Sequence, residues 1–210
     1  MIAPTLPPNE AERLADLHDG GVLDTPAEKI FNEIAELAAA ICGSRYAAVT
    51  LIDSDRQWFK AEYGSAPGET SRAESICGHA ILEPGVFEVP DTELDERFVG
   101  NPMLANANIR FYTGSPLNSD KGNPTGMLCV LDSEPKALDE HQKKSLAQLA
   151  DVLMAVLEAA RQSRLLQWFG ALTTRCPKKS WSPTPTPCAT FTPMAALSEA
   201  WATRWSSCAP

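Results

Sequence analysis

Apolar residues recur at helical spacing near the start of this chain, pass into short runs and alternation through its middle, and return to helical spacing after Asp139. Asn9 with Glu12 three residues later has the spacing of a capping box and predicts a helix through Leu14 and Leu17 that stops at Gly20 and Gly21. Thr25 as N-cap, Pro26 at the first helical position and Glu28 at the third predict a second helix. Its apolar face is Ala27, Ile30, Phe31, Ile34, Leu37 and Ile41, and Gly43 ends it. "YAAVTLID" and "QWFKAEY" flank "SDR" and predict a hairpin, whose first strand is apolar on nearly both faces and therefore central. "VFEVP", "IRFYTGSPL" and "TGMLCVLD" predict three further strands. Asp139 with Gln142 opens the last helix, in which Leu146, Leu149, Leu153, Val156 and Ala160 step by three and four. That seam predicts parallel pairing with a second copy of the chain through Leu146, Leu149, Leu153 and Val156.

Two helices, a run of strands and a closing helix imply an α+β domain with an antiparallel sheet. Two irregular stretches, "GSAPGETSRAESICGHAI" and "DTELDERFVGNPMLANAN", exceed the usual connection length, and long ordered loops are where binding sites tend to be built.

Composition divides the chain near Leu165. Residues 165–210 hold four of the five tryptophans, three of the six cysteines and only five charged residues, and "SWSPTPTPCATFTP" has no period that a helix or strand could use. This reads as an irregular, disordered tail outside the fold. Its composition also matches GC-rich coding DNA read one base out of step, so a frameshift after about Leu172 is a second expectation, which sequencing the gene would decide.

Over the whole chain, 44% hydrophobic and 21% charged residues is the composition of a globular protein. A formal charge of −9 argues against a nucleic-acid partner, whose phosphates would need lysines and arginines to neutralise them. "MIAPTLPPNEAERL" has no signal-peptide pattern and no apolar run spans a bilayer, so a cytoplasmic location without a membrane partner is expected. Cysteines in such a chain should be reduced, and none are spaced as C-x-x-C.

"ICGSRYAAVTLIDSDRQWFKAEYG", "SICGHAI", "VPDTELDERFVGNP", "IRFYTGSPL" and "GMLCVLD", in that order, resemble a GAF domain of the kind found at the front of bacterial diguanylate cyclases and sensor histidine kinases. The resemblance covers residues 9–164, leaving 1–8 as an N-terminal extension. It implies a six-stranded antiparallel sheet with helices on both faces, and a role in binding a small ligand or relaying a signal by homodimerisation in a two-component or cyclic di-GMP pathway. No kinase or cyclase motif follows, so a non-enzymatic sensory domain without a cofactor is the expectation. The alternative is a thiol oxidoreductase resembling the GAF-fold free methionine sulfoxide reductases, with Cys77 and Cys129 as its thiols.

"SICGHAI" carries the sharpest question. If the stretch is helical, Cys77 and His79 point about 200° apart and cannot touch; if it is extended, they share a face. Bilin-binding relatives place His directly after the Cys, whereas Gly78 intervenes here. One thiol and one imidazole are too few for a metal site, so no metal ligands and no catalytic residues are assigned. The ligand-binding candidates are Trp58, Cys77, His79, Asp91, Phe98, Asn101, Arg110 and Tyr112, with Phe111 as a further apolar wall. Asp91, Asp95 and Glu96 are spaced like turn and cap residues, with Arg97 as a partner for one of them.

Overall fold

The computed structural model describes residues 1–64 and 68–174, with side chains of the last helix followed to Gln167. Helices α1 (Glu10–Asp19) and α2 (Lys29–Cys42) precede strands β1 (Tyr46–Ile52), β2 (Arg56–Tyr63) and β3 (Glu69–Ser71). A single 3₁₀ turn (Arg72–Glu74) leads into the short helix α3 (Ile76–Ala80), followed by β4 (Phe87–Val89) and α4 (Pro102–Ala107). β5 (Phe111–Asn118), β6 (Pro124–Asp132) and the long α5 (Glu140–Thr174) complete the chain described. The six strands form one antiparallel sheet in the order β3-β2-β1-β6-β5-β4, so the hairpin strand read as central is central. This is the α+β architecture the sequence implied.

Strand periodicity builds two cores, one on each face of the sheet. Val49 and Leu51 of β1 with Leu128 and Val130 of β6 point to a layer made by α1, α2 and α5. Their alternates Ala48, Ile52, Met127 and Cys129 point to the opposite layer, made by α3, α4 and the loops around them. The sheet must close tightly at position 126, where a side chain's first carbon would sit 2.0 Å from the Thr50 carbonyl oxygen; only glycine lets β1 and β6 meet there.

Several local expectations are corrected by competing partners. Asn9 does precede α1, but its amide donates to Asn123 Oδ1 at 2.6 Å and makes no cap. α2 starts at Lys29 rather than near Pro26, because the Thr25 hydroxyl is committed elsewhere: it donates to the Val22 carbonyl and accepts from Lys60 Nζ. Lys60 is the extra residue of a β-bulge, since Val49 pairs with Ala61 and Thr50 with Phe59. The bulge turns its side chain toward α2, where it is buried, donates to Thr25, the Pro26 carbonyl and Glu28, and lies 4.9 Å from the Phe31 ring centroid. Segment 25–28 therefore wraps an ammonium instead of opening a helix. The buried face of α2 is Phe31, Ile34, Ala35, Ala38, Ala39 and Cys42, while Ile30 and Leu37 are exposed.

The capping box of α5 forms as read: Gln142 Oε1 accepts from the Asp139 amide and Asp139 Oδ1 accepts from the Gln142 amide. Its seam has a different purpose from the one expected. Leu146 and Leu153 are fully buried in the chain's own core, with Ala150 and Leu157, and Leu149 and Val156 pack against that core. Leu146 and Leu153 are taken up by the chain's own core and are not free for a second copy, while Leu149 and Val156 are partly exposed at its edge. α5 also continues to Thr174, past the compositional break near Leu165. The expectations about disorder and reading frame after that break fall chiefly on residues 175–210, outside the described residues.

Residues 1–8, read as an N-terminal extension, are tied to the domain by hydrogen bonds. The Met1 ammonium donates to the Val99 carbonyl at 2.7 Å and the Ile2 amide to the Arg97 carbonyl at 2.9 Å, so the segment lies as a strap beside α3. Gly78 is where the strap passes: a Cβ there would stand 2.9 Å from Pro4 Cγ and 2.9 Å from Ser75 Oγ. Gly78→Ala should therefore lower stability by about 1–3 kcal/mol through overpacking. Urea unfolding checks this, and an unchanged midpoint would remove the strap contact from the account.

Candidate functional site

α3 is helical, which separates Cys77 from His79. Ser75 caps it by accepting from the Gly78 amide at 2.9 Å. Cys77 points down to the sheet, its Sγ 3.2 Å from the Tyr112 hydroxyl and 3.9 Å from Cys129 Sγ. His79 points outward, donating from Nε2 to the Ile2 carbonyl at 2.9 Å and meeting Phe98 edge to face at 5.1 Å. Burial holds the imidazole pKa below its ordinary value, more than the Ile2 contact raises it, and the nearby Arg97 charge acts in the same direction as burial. The ring is thus a neutral fastener for the strap.

Between α3, α4 and the sheet lies a cavity of about 760 Å³. Its walls are largely apolar, from Phe59, Ile76, Leu104, Ile109 and Leu131, with Met103 beside them. Polar residues are few: Cys77, Cys129, Tyr46, Tyr112, Glu74 and Gln57, with exposed Asn106 at the rim. Gln57 is buried, and its Oε1 has no hydrogen-bond partner among the described residues. A pocket of this size and lining is what a small organic ligand requires. No three His, Cys, Asp or Glu side chains converge on a common point among the described residues.

Of the eight candidates read from sequence, the structure brings Cys77 and Tyr112 to this cavity. Asn101 stands just behind its wall: Oδ1 caps α4 by accepting from the Met103 and Leu104 amides, and Nδ2 donates to the Glu74 carbonyl at 2.7 Å. It thereby ties α4 to the turn before α3. Phe98 and His79 meet edge to face on the far side of α3, and Asp91 and Arg110 form a two-point ion pair at 2.7 and 2.9 Å that closes the loop after β4. Asp95 holds Arg97 in the same loop. Trp58 and Phe111 face the helical layer on the opposite side of the sheet. Alternation along "QWFKAEY" carries the missing signal: if Trp58 faces the helices, Gln57 and Phe59 must face the other way.

The GAF domain family profile matches residues 26–157. The chain belongs to the GAF domain family. It is 37% identical over 168 residues to a cyclic di-GMP phosphodiesterase of Pseudomonas aeruginosa, an overlap of 79% of this chain and 29% of that protein. This corrects the expectation of a non-enzymatic protein, because the relative is an enzyme, and the chain spans less than a third of its length. Among solved structures, the GAF domain of an Acinetobacter phosphoenolpyruvate-protein phosphotransferase superposes with a TM-score of 0.53 at 17% identity, covering 72% of this chain and 96% of that one. The PixJ GAF domain of Thermosynechococcus elongatus, in its blue-light absorbing form, gives 0.52 at 19% identity, covering 77% and 97%. These two likenesses show the fold. Among the described residues no helix is long and apolar enough to cross a membrane.

Proposed function

We propose that this chain is the sensory part of a signalling protein acting on cyclic di-GMP, and that it reads a small, largely apolar molecule held in the cavity between α3, α4 and the sheet. The observation that carries this reading is the cavity itself, about 760 Å³, apolar-walled, with the buried Gln57 side-chain carbonyl left without a partner among the described residues. An unpaired buried carbonyl costs stability in the empty domain, and a ligand N–H or O–H that reaches it recovers that cost. Similarity to the Pseudomonas aeruginosa phosphodiesterase supports the pathway. α5 leaves the same domain as a helix of 35 residues, a stiff element through which a change in the core could be passed on.

Gln57→Leu is accordingly expected to stabilise the ligand-free chain by about 1 kcal/mol, measured by chemical denaturation, since it removes an unmatched acceptor. Destabilisation instead would mean that Gln57 is satisfied and plays no recognition role. The regulatory reading is tested by exchanging the matching 168-residue segment of the phosphodiesterase for this chain and following cyclic di-GMP hydrolysis. Narrowing the cavity mouth with Ala107→Trp should change the rate about fivefold or more if the domain is coupled to the active centre. An identical rate in both chimaeras rejects the regulatory reading.

A further inference from the structure

We propose that Cys77 and Cys129 are an oxidisable pair: a hydroperoxide entering the cavity converts the two thiols into a disulfide within its wall. The sulfur atoms lie 3.9 Å apart, on two elements far separated in sequence, and both residues line the cavity. Cys42, the third cysteine of the described residues, sits in the helical core on the other face of the sheet. Among the described residues, geometry thus singles out one pair.

The resting state is a chain of hydrogen bonds. The Tyr112 hydroxyl reaches Cys77 Sγ at 3.2 Å, the Cys77 thiol donates to Cys129, and the Cys129 thiol donates to the Ala48 carbonyl at 3.6 Å. Burial opposes ionisation of all three groups. For Cys77, hydrogen bonding with Cys129, Thr50 and Tyr112 outweighs burial and holds the thiol pKa below that of an ordinary cysteine, whereas Cys129 and Tyr112 are pushed up. Cys77, which lines the cavity and touches the Tyr112 hydroxyl, is assigned as the attacking sulfur, and its proton leaves with the departing oxygen as the S–O bond forms.

The chemistry balances in two steps. Cys77 Sγ attacks the peroxide oxygen; an S–O bond forms, the O–O bond breaks, and the departing oxygen takes up the thiol proton, leaving a sulfenic acid and water or an alcohol. Cys129 Sγ then attacks Cys77 Sγ; the S–S bond forms, the S–O bond breaks, and the hydroxide leaves as water with the Cys129 proton. Two thiols lose two electrons and the hydroperoxide gains them. A disulfide bond of about 2.0 Å requires the sulfurs to close by about 2 Å. Cys129 is fixed in β6 within the sheet, so the five-residue α3 takes up most of the movement and the cavity beneath it narrows.

The test is mass mapping of the full chain after treatment with hydrogen peroxide, alkylation and tryptic digestion. The expected product joins peptide 73–97 to peptide 122–136, two hydrogens lighter than their sum and separated again by a thiol reductant, while Cys42 stays alkylatable. Phenylarsine oxide, which condenses with two adjacent thiols without oxidising them, should form a one-to-one adduct that protects the same two residues. Cys77 and Cys129 both remaining alkylatable under peroxide overturns the proposal. So does Cys77 ending as a sulfinic acid, or paired with Cys176, Cys188 or Cys208 instead of Cys129.

Discussion

Leu153→Glu is expected to abolish the cooperative unfolding transition of this chain. Leu153 has no exposed surface and packs with Leu146, Ala150 and Leu157 of α5 into the core formed with α2 and the sheet. Truncating such a leucine alone typically costs about 2–5 kcal/mol. A glutamate adds the penalty of a buried carboxyl group without a partner, several kcal/mol more or a strongly raised pKa. The sum is comparable to the whole stability of an ordinary domain, about 5–15 kcal/mol. Val152→Glu, one position away and more than half exposed, should change stability by no more than about 0.5 kcal/mol. Circular dichroism melts of the two variants separate the alternatives: a seam for dimerisation would give a folded Leu153→Glu monomer, whereas an internal core gives no folded protein.

Glu10→Gln should cost about 3–5 kcal/mol, the range for breaking a buried ion pair. Glu10 holds two arginines that cannot reach water: Arg13 is fully buried and Arg72 nearly so. Arg13 donates through Nε and Nη2 to both Glu10 oxygens and through Nη1 to the Ile52 carbonyl at 2.7 Å. Arg72 adds donors to the same carboxylate and one to the Asp53 carbonyl at 3.0 Å. One carboxylate thus joins α1, the end of β1 and the turn that leads into α3, and its loss leaves two guanidinium groups competing for backbone carbonyls. Burial alone would raise the Glu10 pKa, but the hydrogen bonds and charges of Arg13 and Arg72 win and bring it to about 2 from the ordinary 4.5. The folded pKa lies below the unfolded one, so the stabilisation is fully present above pH 4.5 and is lost as pH falls toward 2. Denaturant melts at descending pH should show wild type losing stability through that window, with the Gln variant flatter; parallel curves would assign the acid sensitivity to other carboxylates.

The sheet was legible because its information is local and periodic. "YAAVTLID" is apolar on both faces and becomes the central β1, and the turn-bounded runs after it became β4, β5 and β6. The three-residue β3 was hidden, since Glu69, Thr70 and Ser71 have neither apolar alternation nor length; it exists through pairing with Arg56, Gln57 and Trp58. Cap residues with a stronger distant partner do not cap: Asn9, engaged with Asn123, stands at the start of α1 without capping it, and Thr25, engaged with Lys60, leaves α2 to begin at Lys29. No local rule anticipates a β-bulge that sends a lysine into the helical layer. Residue type drew attention to Trp58, His79, Asp91 and Arg110, all conspicuous in sequence and all engaged in packing or ion pairs. The cavity wall is instead made of inconspicuous residues such as Ile76, Leu104, Ile109 and Leu131, brought together only when α3 and α4 fold back over the sheet. Asn101 illustrates the difference: it is a cap by its sequence position, and its second hydrogen bond, to Glu74, makes it the brace between two walls.

The cavity's role as the sensing site is open to one direct measurement: a thermal-shift screen of small organic metabolites against wild type and Ala107→Trp in parallel. Ala107 is exposed at the cavity rim, so the variant should fold while its indole occupies the entrance. At a concentration one hundred times its Kd, a ligand stabilises the folded state by about 2.7 kcal/mol, which is several degrees of melting temperature for a domain of this size. The account predicts at least one compound that raises the wild-type melting temperature and leaves Ala107→Trp unmoved. A compound that shifts both proteins equally, or a screen in which nothing shifts wild type, would contradict it.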